Sequence, residues 1–194
     1  MKTRFLTTVC ALLTLAVLLG GCSAGAEKAP KKEVGIQLYS VRSLIGAFGN
    51  NQEDYKPVLK QLADMGYTSV EAASYKDGKI YGQTPEQFRK DVEEAGMKVL
   101  STHCTINLSD EELAAGDFSK ALAWWDECIA AHKAAGAEYI VVPSMRKVST
   151  LEELATYCRY FNEIGARCKA AGLKFGYHNH SREFEKIEDR VMLD

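Results

Sequence analysis

Apolar positions along the 194-residue chain alternate between two periods. Residues 54–65 place Tyr55, Val58, Leu59, Leu62 and Met65 on one stripe, and residues 118–134 do the same with Phe118, Leu122, Trp125, Ile129 and His132. That spacing predicts helices buried on one side. Thr84-Pro85-Glu86-Gln87 and Ser149-Thr150-Leu151-Glu152-Glu153 read as helix starts, with a hydroxyl cap followed by early acids. Between these stretches lie short β-prone runs, predicted as strands over about residues 34–39, 68–73, 98–103, 138–143 and 174–179.

Four segments repeat one handover from helix to strand: ADMGYTSVE, EEAGMKVLS, KAAGAEYIV and KAAGLKFGY. Each has a helix-forming stretch, a glycine and a β-prone run, the pattern of a left-handed glycine cap. The glycines Gly66, Gly96, Gly136 and Gly172 are 30, 40 and 36 residues apart, the size of one βα unit. Alternating units of this kind predict an α/β fold with a parallel sheet. The first strand runs into YSVRSLIGAFG, without the glycine-rich fingerprint of a dinucleotide-binding sheet. The reading is therefore a (β/α)8 TIM barrel over residues 34–194, truncated after about five units.

In such a barrel, chemistry sits at the C-terminal ends of the strands. Those positions hold Gln37, Tyr39 and Arg42, then Glu71, then Ser101 and His103, then Pro143 and Ser144, and finally His178, Asn179 and His180. Three of the chain's four histidines fall there. Alternation places Gly176, His178 and His180 on one face, directed at the barrel axis, with Phe175 and Tyr177 beneath the helices. Small Gly176 suits a crowded interior. Glu71, His103 and His178 are the candidate catalytic set, because imidazole and carboxylate together bind Mn, Co, Zn or Fe and also move protons beside a carbonyl. His132 reads as a packed or dipole-facing imidazole and Trp124 with Trp125 as a helix-packing pair. Glu183, Glu185 and Lys186 read as a solvated loop, with Glu183 close enough to the site to stay open.

The N-terminus addresses location. Lys2 and Arg4 precede an apolar run from Phe5 to Leu19, too short for the ~20 residues of a membrane-spanning helix, so residues 1–21 read as a secretory signal. Leu19-Gly20-Gly21-Cys22 resembles the bacterial lipobox, which implies lipidation of Cys22, a polar tether over 22–33, and attachment to the cell envelope, on the periplasmic side. Net charge is −2 with both signs interspersed, which argues against a nucleic-acid partner. Cys104, Cys128, Cys158 and Cys168 show no CxxC spacing, so they read as mostly buried thiols, with a Cys158–Cys168 bridge as a minor alternative.

GIQLYSVR, MGYTSVE, STHC and FGYHNHSREFE together resemble the sugar phosphate isomerase/epimerase family with a xylose isomerase-like TIM barrel, in its exported lipoprotein branch. The resemblance implies a sugar or keto-sugar substrate, proton abstraction next to a carbonyl, and a divalent metal (Mn, Co, Mg or Zn) that stabilises the enediolate. By position, it makes Glu71 and His103 pocket residues, Gln37, Tyr39 and His180 substrate contacts, and His178 a metal ligand. Better-known epimerases have a metal-binding glutamate where this chain has His178, and three further strands supply an aspartate, a histidine and a glutamate to their metal. The remaining ligands are therefore expected beyond Asp194, the last residue of this sequence. Metal identity and reaction stay open. The alternatives are a 3-keto-glycoside lyase on the same fold and a non-catalytic sugar-binding lipoprotein. Repair of abasic DNA is disfavoured by the export signal and the missing basic groove.

Overall fold

The computed structural model describes residues 32–51 and 54–194, so the signal segment, Cys22 and most of the tether lie outside the described residues. Residues from Glu33 to Asp194 form one unit. Five strands, β1 (Gly35–Gln37), β2 (Ser69–Ala72), β3 (Lys98–His103), β4 (Tyr139–Val142) and β5 (Lys174–Tyr177), lie in that order in one sheet, each parallel to its neighbours. The long helices α1 (Lys56–Asp64), α2 (Pro85–Glu94), α3 (Ser119–Ala134) and α4 (Leu151–Ala170) connect β1 through β5. Every strand except β3 is shorter than its β-prone run, because pairing ends where the chain turns into the loops at the C-terminal rim.

All four handovers use one motif. Gly66, Gly96, Gly136 and Gly172 have φ of +100°, +91°, +78° and +84°. In each, the glycine N–H and that of the next residue donate back to the last turn, as in Gly172 to Lys169 (3.0 Å) and Leu173 to Cys168 (2.8 Å). This is the Schellman closure, which satisfies the helix's orphan carbonyls and aims the chain straight at the next strand. The starts also follow the sequence. Thr84 Oγ1 accepts from Gln87 N ahead of α2, and Thr150 Oγ1 from Glu153 N ahead of α4.

The core lies between the helices and the sheet face that carries Val70, Ala72, Val99, Ile140 and Val142. Phe88, Trp125 and Ile140 are completely enclosed, each contributing about 1.5–3 kcal/mol by burial. Trp125 Nε1 donates to Tyr160 Oη at 2.7 Å, joining α3 to α4, and the Trp124 ring meets it edge-on. Met65 departs from its predicted stripe: it follows the last turn of α1 and is 73% exposed. Asp91 is an unforeseen charged residue among the buried ones. Tyr55 Oη (2.6 Å), Gln87 Nε2 (2.8 Å) and Lys56 Nζ (2.8 Å) all reach its carboxylate, pinning α1 to α2.

The four cysteines among the described residues are free, with Cys104, Cys128 and Cys168 buried and Cys158 exposed. Cys158 and Cys168 share α4, about 15 Å apart along its axis at 1.5 Å per residue, so they cannot be bridged.

Candidate active site

The sheet face opposite the helices carries the polar strand ends, and strand register decides which of them meet. Gln37 on β1 stands beside Glu71 on β2. A register shift after Val70 then sets Glu71 beside Ser101 on β3, leaving Leu100 as the extra residue. Glu71 therefore accepts from Gln37 Nε2 (2.7 Å) and Ser101 Oγ (2.6 Å). His103, two residues beyond Ser101 on the same face, reaches back with its Nε2 at 2.9 Å from Glu71 Oε1. Burial pushes the Glu71 carboxyl up, but bonds from His103, Ser101 and Gln37 outweigh it and hold it at about 2.

His103 stands between this carboxylate and a cavity of about 600 Å³ lined by Gln37, Tyr39, His103, Ser144, His178 and His180, among others. Glu71 does not line it; the carboxylate stands behind His103 and Gln37. The His103 ring meets His178 edge-on at 5.2 Å, and His178 stacks nearly parallel on His180 at 4.7 Å. His178 is the first residue past β5, still tied to the sheet by its N–H to Val142 O (2.9 Å), whereas His180 is in the loop and exposed. Phe175 and Tyr177 lie under α4, packed against Phe161. A Cβ at Gly176 would meet only Val141 Cγ2, at an ordinary 3.7 Å, so crowding does not demand glycine there.

Three lining residues escaped the sequence reading. Thr105 and Arg182 lie beyond their strands, where no periodicity marks them. Phe48 comes from a small hairpin, Gly46–Ala47 paired with Asn50–Asn51, that follows β1. Its φ is +50°, its N–H donates to Ala73 O, and its ring lies 5.4 Å from that of Tyr39. The two aromatics make an apolar wall facing the polar strand ends.

Glu183 is not in a solvated loop. It is 1% exposed, accepting from Tyr177 Oη and the His180 N–H, both at 2.6 Å. Burial raises its carboxyl, and these bonds bring it below the usual range. It fixes the turn that presents His180. His132 is fully buried on α3, away from the cavity, and burial lowers it to about 4, so it is a packed neutral imidazole and not a cation facing the helix end.

The described residues of the cavity do not by themselves fit a metal. Both Glu71 oxygens are taken by hydrogen bonds, and the His178 and His180 rings stack on each other. Asp194, the last carboxylate of the sequence, adds nothing to the set: it is exposed, its N–H donates to Val191 O at 3.0 Å, and it does not line the cavity. Among the described residues, the group whose metal-capable atoms come together is Cys104, Cys128 and His132, outside the cavity.

Residues 59–190 match the family model described as a xylose isomerase-like TIM barrel. A sugar phosphate isomerase/epimerase from Parabacteroides distasonis is 31% identical with a TM-score of 0.68, over 80% of this chain and 57% of that one. A second from the same organism is 26% identical with a TM-score of 0.67, over 86% and 57%. The IolI protein with a bound zinc atom shares the fold alone, at 12% identity and a TM-score of 0.53, over 75% and 51%. This chain thus spans 57% of the length of the two sugar phosphate isomerase/epimerases. No match was found among curated proteins. With two thirds of its residues on the family model and its parallel βα units superposing on those relatives, the chain belongs to the xylose isomerase-like TIM barrel family, a fold of sugar isomerases and epimerases.

Proposed function

We propose that the full-length protein is an isomerase or epimerase that moves a proton at the carbon beside a carbonyl of a sugar or keto-sugar. The observation that carries this reading is the His103–Glu71 pair at 2.9 Å, with His103 on the cavity wall and the carboxylate behind it. Held at about 2, Glu71 stays ionised across the working range, orients the His103 ring and stabilises the imidazolium formed when His103 takes the substrate's proton. Gln37 and Ser101 keep Glu71 in place. Tyr39 and Phe48 offer a surface to the apolar face of a sugar, while His178, His180 and Ser144 offer hydroxyl partners.

His178 is the candidate ligand for a divalent metal ion (Mn, Co, Mg or Zn), with its other ligands required from residues beyond Asp194. The zinc in one distant relative of the fold is compatible with this. Such an ion would polarise the substrate carbonyl. The envelope location, with Cys22 lipidated and the barrel on the periplasmic side, rests on residues 1–22. Replacing Cys22 with alanine should move the protein from the membrane to the soluble fraction.

The test is proton exchange. The full-length protein, with each metal in turn, is incubated in deuterated water with ketoses and with 3-keto-glycosides, and deuterium at the carbon beside the carbonyl is followed by NMR. Epimerised or isomerised ketose supports the proposal, and aglycone release would reassign the protein as a lyase. His103→Asn should slow exchange by about 10²-fold or more. Sugar binding without exchange on any substrate would leave a binding protein and overturn the catalytic reading.

A further inference from the structure

Cys104 follows His103 at the end of β3, and the alternation that turns His103 into the cavity turns Cys104 away from it. There its sulfur lies 3.2 Å from that of Cys128 on α3. Both are sealed from water, at 5% and 0% exposure. One turn later, His132 places its Nδ1 2.6 Å from the Cys128 carbonyl oxygen and 3.3 Å from the Cys128 sulfur. A carbonyl at that distance requires Nδ1 to carry the hydrogen; in the closed fold, burial and the Cys104 sulfur push the Cys128 thiol up, so it is held as the neutral thiol there.

Two chemistries suit a pair of thiols beside an imidazole, and distance separates them. Thiolates on one tetrahedral zinc, with bonds of about 2.3 Å, stand about 3.8 Å apart. The observed 3.2 Å is closer than that, and Nδ1 is already committed to the hydrogen shared with the carbonyl. A disulfide of about 2.05 Å requires the sulfurs to approach by only about 1.2 Å, which small side-chain rotations supply.

We propose that Cys104 and Cys128 are a redox pair that closes into a disulfide joining the end of β3 to α3. The oxidant is a small disulfide or a thiol–disulfide exchange protein. The Cys128 thiolate attacks one sulfur of that disulfide and expels the other as a thiolate. The Cys104 thiolate then attacks the Cys128 sulfur of the mixed disulfide and expels the second. The pair loses two electrons and two protons, and the oxidant leaves as two thiols. Because both sulfurs are enclosed in the finished fold, exchange takes place before α3 closes on the sheet, and the bond is afterwards shielded from reductants. The crosslink anchors the strand end that carries His103, and it is independent of the substrate proposed above.

The test is to refold the full-length chain in reduced and oxidised glutathione, block free thiols under denaturing conditions, digest, and map the peptides by mass spectrometry. The expected product is a linked Cys104–Cys128 peptide pair, lighter by two hydrogens than its free parts and split by reductant, with Cys158 blocked at the first step. The melting temperature of the oxidised protein should fall by about 5 °C or more on reduction under denaturing conditions and refolding without oxidant. Cys128→Ala and, separately, Cys104→Ser should abolish the linked pair; the comparison of oxidised and reduced native chain stands even where a variant fails to fold. Complete blocking of both cysteines after oxidative refolding overturns the proposal, as does a Cys104–Cys168 link or one equivalent of zinc protecting two unlinked thiols.

Discussion

Replacing Glu71 with glutamine tests whether the site is organised around one ionised carboxylate. The folded protein holds this carboxyl at about 2 against an ordinary 4.5. At about 1.36 kcal/mol per pKa unit, that difference corresponds to about 3 kcal/mol. The side chain is 23% exposed, and screening by water reduces the figure to about 2 kcal/mol. Glutamine keeps the shape, and Gln37, Ser101 and His103 can each reverse donor and acceptor roles around it, so the loss is that of the charge and not of packing. The sign follows from the depressed pKa. Stability from Glu71 is fully present above the unfolded value near 4.5 and is lost as pH falls toward about 2. Urea unfolding of the native and Glu71→Gln proteins should therefore differ by about 2 kcal/mol at pH 6–7, shrinking to less than half of that by about pH 3. A difference that stays constant with pH would mean that the carboxylate is not held by these bonds, and the reasoning would fail.

Asp91→Ala should destabilise by about 2–4 kcal/mol in the same assay, because it strands the buried Tyr55 hydroxyl and removes a charged acceptor, while exposed Lys56 contributes little. Gly172→Ala should cost about 1–2 kcal/mol: the new methyl meets no atom, so the whole effect comes from φ of +84°, and a neutral result would contradict the Schellman account. Phe48→Ala should raise KM several-fold with little change in kcat if the ring only forms a wall for substrate, and a selective fall in kcat would place it in the chemistry instead. Glu183→Gln should loosen the His180 turn and lower the melting temperature, seen as faster amide exchange at His180, since Tyr177 and His180 donate to separate carboxylate oxygens and glutamine offers a single neutral acceptor.

Local features carried the fold. The 3.6-residue stripes, the hydroxyl caps at Thr84 and Thr150, and the four glycines are short-range signals, because a helix closes on its own turns and a left-handed cap needs a residue without Cβ wherever it sits. Alternation along a strand was equally legible, and it put His103 and His178 on the cavity face while Phe175 and Tyr177 went under the helices. Tertiary structure decided what each group touches. The register shift after Val70 brings Ser101 to Glu71, and no composition or spacing along the chain reports a one-residue slip between strands. Glu183 has the sequence context of a surface loop, yet it is buried because Tyr177 and the His180 backbone meet it with two donors. Phe48 reaches the cavity through a hairpin too short to leave a periodic signal, and Cys104 meets Cys128 only because β3 and α3 pack against each other. Secondary structure was written in neighbours, whereas the cluster around Glu71 depends on pairings between residues 30 to 66 positions apart, which only the packed sheet brings into contact.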